Sequence, residues 1–159
     1  MSAQANTPHP AAALIGERWT PEHNCWWLVR EYFARCRALA LPEIDALAAG
    51  VRASGWRPVQ GIPQADDIVL MRAPEGTRHV GVMLAADARL WVLHSDGGMV
   101  RATHQDWRCW GGVVWQPIAL LIGAGYRDFE FWRFDTERGA LASERNAPQS
   151  FTAARVASP

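Results

Sequence analysis

Residues 79–94 read His-Val-Gly-Val-Met-Leu-Ala-Ala-Asp-Ala-Arg-Leu-Trp-Val-Leu-His, two apolar runs either side of a short, small and polar centre. Such runs, rich in β-branched and aromatic residues, form strands, and the interruption marks a hairpin. With Ala85–Ala88 as the loop, Leu84 faces Arg89, Gly81 faces Val92 and His79 faces His94. Directly paired residues share a face with Cβ atoms about 4.5–5.5 Å apart, so two imidazoles are expected side by side at the open end. Gly81 lies on the same face and leaves room there for a helix terminus to approach.

Upstream, Asp67–Arg72 is a further strand; downstream, Met99–Ala102 and Gly112–Gln116 add two more, and Thr103–Trp110 forms a helical turn capped by Thr103. Before all of these, Cys25, Leu28, Val29, Tyr32, Phe33, Cys36, Leu39 and Ala40 recur at helical spacing and predict one apolar stripe. Asn24 is a suitable N-cap, and Pro42 prevents clean continuation. A second helix is expected over Pro42–Ala53, ending near Gly55. Helices followed by an antiparallel meander make an α+β fold, with N-terminal helices packed on a central antiparallel sheet.

The chain has 159 residues and a mass of 17.7 kDa, a size one core can serve. Residues 1–10 read as a loose leader, 11–134 as the domain, and 135–159 as a tail of Ala, Ser, Arg and Pro. Sixteen basic residues, all of them Arg, balance sixteen acidic ones. That balance argues against a nucleic-acid or membrane-surface partner, both of which favour a basic excess. The apolar run Pro117–Gly125 is too short to span a bilayer, so no membrane insertion is expected. Met1–Pro10 lacks the basic and apolar regions of a signal peptide, which predicts synthesis in a reducing cytoplasm with free thiols. Nine Trp residues suggest a bulky core or an aromatic-walled cleft.

Cys25 falls on the first turn of the first helix. Free N–H groups and the positive end of the helix dipole favour a thiolate there. Its place on the apolar stripe points the sulfur inward, towards the sheet and the two histidines. A nucleophile, a base and a group that orients the base form a working catalytic set. A cysteine on an apolar stripe is more often core, and Cys36 and Cys109 are assigned packing alone. What distinguishes Cys25 is its position at a helix start together with the paired histidines downstream.

Three segments together resemble the NlpC family of cell-wall cysteine peptidases, in its bacteriophage-tail and gene-transfer-particle branch. They are Leu14-Ile15-Gly16-Glu17-Arg18-Trp19 with His23-Asn24-Cys25-Trp26-Trp27-Leu28-Val29-Arg30; Gln64-Ala65-Asp66-Asp67-Ile68-Val69-Leu70; and His79-Val80-Gly81-Val82-Met83-Leu84 with Val92-Leu93-His94. The resemblance covers about residues 14 to 117. It implies a papain-like α+β fold with Cys25 as nucleophile, His79 as general base and His94 as the orienting residue. Trp19, where the family often has a cleft-lining Tyr, and Trp26 are the implied substrate contacts. The implied reaction is hydrolysis of the bond between D-γ-glutamate and a diamino acid in peptidoglycan stem peptides, with no metal or cofactor. Two departures stand out: Trp27 replaces a usual Gly beside the nucleophile, and Asp66 replaces the Gly before the first strand.

The implied partners are the stem peptide and the hub proteins of a phage tail or tail-like particle, which would carry the chain to the cell wall. The competing reading is a catalytically silent tail-assembly component that keeps the fold and uses the tryptophans as an interface. An acyltransferase or deamidase on the same Cys–His fold is a third. A zinc site from His23, Cys25, His79, His94 or His104 is disfavoured, because no helical His pair or Cys pair supports it.

Overall fold

The computed structural model describes residues 9–44, 47–53, 55–86, 89–103 and 106–135. Its elements are a 3₁₀ turn (Pro10–Leu14), α1 (Cys25–Arg37), α2 (Leu47–Ala53), β1 (Trp56–Pro58), β2 (Ile68–Arg72), β3 (Arg78–Ala86), β4 (Arg89–Arg101), β5 (Trp107–Pro117), α3 (Ile118–Gly123) and β6 (Arg127–Phe134). The fold is α+β, as the order of periodicities predicts. Most of the expected leader and nearly all of the tail lie outside the described residues, while His9 and Pro10 already belong to the folded part.

Asn24 caps α1: its side-chain oxygen accepts the otherwise free N–H groups of Trp26 and Trp27 at 3.0 and 3.1 Å. The helix stops at Arg37 instead of reaching Ala40. Ala38 turns left-handed at φ 52°, and the N–H groups of Ala38 and Leu39 both return to the Phe33 carbonyl. The second helix is also shorter than expected, because residues 41–44 are not helical; Asp45 and Ala46 lie outside the described residues.

All strand pairs are antiparallel, in one six-stranded sheet of order β1-β6-β2-β3-β4-β5. The meander β2-β3-β4-β5 matches the sequence expectation. Four elements, the 3₁₀ turn, β1, β6 and α3, do not appear in the sequence reading. The expected Met99–Ala102 strand is the far end of β4. Trp107–Trp110 pairs with that end as the start of β5, so the helical turn expected over Thr103–Trp110 is not formed. Thr103 does accept the Asp106 N–H at 3.1 Å, but ladder hydrogen bonds outweigh the local helical preference after it. His104 lies outside the described residues.

The sheet is covered on both sides. Ile68, Leu70, Val80, Val82, Leu84 and Leu93 face α1 through Leu28, Val29, Tyr32 and Phe33. Val69, Met71, Met83 and Val92 face Leu121 of α3 and Tyr126. Burial on both faces explains the unbroken apolar run of β2, whose first four residues are all buried. Asp67, just before that strand, is 1% exposed. It accepts two hydrogen bonds from the Arg133 guanidinium, at 2.6 and 2.8 Å, and one from the Gln64 N–H at 2.7 Å. This carboxylate fastens β6 to the start of β2.

Asp66 occupies the position where a Gly was expected, and its φ of 72° shows why glycine would suit it. The carboxylate accepts from the Tyr32 hydroxyl at 2.6 Å and pairs with Arg37 at 2.8 Å. The strained turn is thereby tied to α1.

Candidate active site

The β3–β4 hairpin is offset by two residues from the expected register. Ala86 faces Arg89, and Gly81 faces His94, not Val92. Pairing runs two residues further towards the loop than Ala85–Ala88 would allow. A two-residue offset preserves side-chain faces, so His79 and His94 still share one, now as diagonal neighbours. His79 Nε2 and His94 Nδ1 are 3.1 Å apart, and the ring planes stand at 89°. The space left by Gly81 is taken by the neighbouring strand: a Cβ there would meet Val92 Cγ1 at 2.6 Å, the Leu93 carbonyl at 2.8 Å and His94 Cβ at 3.2 Å. That corrects the expectation that a helix terminus fills it.

The imidazoles lie on the Tyr126 side of the sheet, while α1 packs on the other. The Tyr126 ring centroid is 5.8 Å from each imidazole, and its hydroxyl donates to Asp96 Oδ1 at 3.0 Å. His94 Nε2 is 3.3 Å from Gln116 Oε1. Tyr126, Asp96 and Gln116 went unnoticed in the sequence. Only the alternation of β5 would have put Gln116 on this face, and nothing in the pattern singled out its amide.

Cys25 reaches the same neighbourhood from the α1 side. Its half-buried thiol borders the α1 core. The sulfur accepts from the Val80 N–H, directly after His79 in β3. The ladder between β3 and β4 begins only at Gly81, so the strand that carries His79 is open to the sulfur there. A thiolate on Cys25 would also raise the Tyr126 hydroxyl pKa, which places the sulfur near the ring that both histidines touch. The thiol and the His79 ring are not hydrogen-bonded to each other in this conformation.

Burial sets the charge state. It pushes the Cys25 thiol up, outweighing the N–H groups of Val80, Cys25 and Trp26 that favour a thiolate. It lowers His79 to about 3, with His94 adding to the effect. It lowers His94 as well, against the Gln116 oxygen and the Asp96 charge. The resting forms are therefore a thiol on Cys25 and a neutral imidazole on His79. The thiolate expected from helix position alone is not the resting form, because desolvation exceeds the dipole.

Of the implied substrate contacts, Trp26 packs in the core at 6% exposure, with its indole N–H donating to the Pro42 carbonyl at 3.1 Å. The edge it still exposes borders a hollow on the flank of α1. Trp19 is half-buried over Gly97 of β4, and its N–H donates to the Gly111 carbonyl at 3.1 Å. Trp27 stacks on His23, centroids 4.2 Å apart and planes at 15°, on the flank of α1. Beside that stack lies a hollow of about 250 Å³ lined by Glu22, Arg30 and Glu43 among others. Larger hollows around Arg57 and Arg133 (about 570 Å³) and around Arg37 and Asp66 (about 460 Å³) lie away from the imidazoles.

Among the described residues, no cluster of three or more His, Cys, Asp or Glu side chains is arranged to hold a metal ion. Nor is any helix there long and apolar enough to cross a membrane. No protein-family model matches the chain, and no curated protein matches it.

Proposed function

We propose that the chain is a papain-like, NlpC-type cysteine peptidase that hydrolyses amide bonds of peptidoglycan stem peptides, of the γ-D-glutamyl–diamino acid type. The observation that carries this reading is the row Gln116–His94–His79, which ends where the Cys25 sulfur meets the Val80 amide. The Cys25 thiol passes its proton to neutral His79 as sulfur attacks the scissile carbonyl. The oxyanion is met by the Cys25 N–H, one of the amides at the helix start without an intrahelical partner. His79 then protonates the departing amine, and water releases the acyl group from sulfur. His94 holds the His79 ring. The chain acts at the cell wall as part of a phage-tail or tail-like particle.

Incubation of the chain with purified walls of several chemotypes, followed by mass spectrometry of the released muropeptides, tests the reading. Stem-peptide cleavage by the natural chain and at least a roughly 10³-fold loss in Cys25→Ala are expected. Absence of new fragments from every wall type, with the fold intact, overturns it. A silent hub-binding role is the second reading, and one observation favours it. Met99 and Trp107 on one face of the far end of the β4–β5 ribbon, and Val100 and Trp110 on the other, are all exposed, a projection suited to a protein partner.

A further inference from the structure

Gln116 lies on β5 opposite Val92, and its side chain shares the face of Val92 and His94. Its carbonyl oxygen can only accept, so the His94 Nε2 at 3.3 Å must carry a proton. Burial keeps the ring neutral, and a neutral imidazole has one N–H. His94 Nδ1 therefore holds a lone pair, and it faces His79 Nε2 at 3.1 Å. His79 Nε2 is then the donor, which leaves His79 Nδ1 bare. The Tyr126 hydroxyl is committed to Asp96 and competes for neither ring.

We propose that Gln116, by accepting from His94, determines through two successive imidazoles which nitrogen of His79 is free to take up a proton. The tautomer itself follows from geometry; its catalytic consequence rests on the peptidase reading above. The opposite amide orientation inverts every link. An N–H from Gln116 would place a lone pair on His94 Nε2 and protons on His94 Nδ1 and His79 Nδ1, and the nitrogen turned away from His94 could not act as a base. Gln116 is thus a positioning residue that works only through His94.

Long-range ¹H–¹⁵N correlation spectra of the full chain with ¹⁵N-labelled histidine, near neutral pH, report both tautomers directly. His79 and His94 are expected to be protonated on Nε2. Gln116→Leu should mix the tautomers, whereas Gln116→Glu, whose carboxylate also only accepts, should keep them. On peptidoglycan, kcat should fall by roughly 10–100-fold in Gln116→Leu with KM little changed, and stay within a few-fold in Gln116→Glu. A proton on His79 Nδ1 in the natural chain, or unchanged tautomers in Gln116→Leu, overturns the proposal even if peptidoglycan is cut. Expected tautomers without any cleavage uphold it and count against the peptidase reading alone.

Discussion

His79 Nε2 lies 3.1 Å from His94 Nδ1 although the two residues are not opposite one another; the residue facing His94 is Gly81. A diagonal contact this close requires a close approach of the two strands on that face. Gly81 allows it, since an added Cβ would press on the Leu93 carbonyl and on His94.

Gly81→Ala should therefore cost about 1–3 kcal/mol and displace His94 from His79. Urea denaturation measures the first effect and the histidine ¹⁵N shifts the second. A variant with natural stability and unchanged shifts would show that glycine is not needed there.

His79 titrates near 3 in the folded chain, lowered first by burial and then by His94, whereas an unfolded chain takes up the proton near 6.5. Between those values the unfolded state binds more protons, so stability falls as pH falls. The loss from this ring is at most about 1.4 kcal/mol per pH unit. The groups around it are His94 on β4 and Tyr126 on the segment before β6, and the Cys25 thiol of α1 is near the N–H of the next residue, Val80. Unfolding free energies measured from about pH 6.5 to about pH 4 should decline more steeply in the natural chain than in His79→Asn. Equal slopes would mean that His79 is not held neutral. By the same reasoning, the acid limb of any peptidase activity should lie well below pH 6.5.

Because burial raises the Cys25 thiol, its alkylation should depend on a base and not on a standing thiolate. Iodoacetamide labelling of Cys25, followed by peptide mass spectrometry, should vary little with pH around neutrality, where His79 is already neutral, and slow by roughly tenfold or more in His79→Asn. Cys36 and Cys109 should label alike in both proteins. A rate at Cys25 that is the same in His79→Asn as in the natural chain would show that the thiol does not react through that base.

The Asp67–Arg133 pair is asymmetric, with the carboxylate 1% exposed and the guanidinium 33% exposed. Arg133→Met strands a buried carboxylate and should cost about 3–5 kcal/mol. Asp67→Asn strands only a half-exposed cation and should cost about 1–3 kcal/mol. Denaturation midpoints of the two variants give the order; the reverse order would place the buried charge elsewhere.

What could be read in advance was local or insensitive to small offsets. The cap at Asn24, the stripe from Cys25 and the end of the sheet run at Arg72 depend on neighbours a few residues away. The shared face of His79 and His94 survived a two-residue error in register because side-chain alternation has a period of two. The register itself depends on how far the pairing extends, and composition near Ala85 does not reveal that. The Thr103–Trp110 stretch kept its local turn bond yet became strand, since its partners lie in β4. Arg127–Phe134 alternates charged and aromatic residues, but its place between β1 and β2 follows from the distant Asp67 carboxylate. The thiol's charge state was misread because helix position is visible in sequence and desolvation is not. Gln116, Tyr126 and Asp96 gain meaning only once β4, β5 and the segment before β6 converge.

The last described strand, β6, lies between β1 and β2, so these two early strands join one sheet only through it. During synthesis, β1 lacks its partner in the sheet until residues 127–134 have been made, while β2 can already pair with β3. Tyr126, which braces both imidazoles, emerges only just before β6. In a nascent chain the β3–β4 hairpin therefore carries both imidazoles before the ring that packs against them has been made.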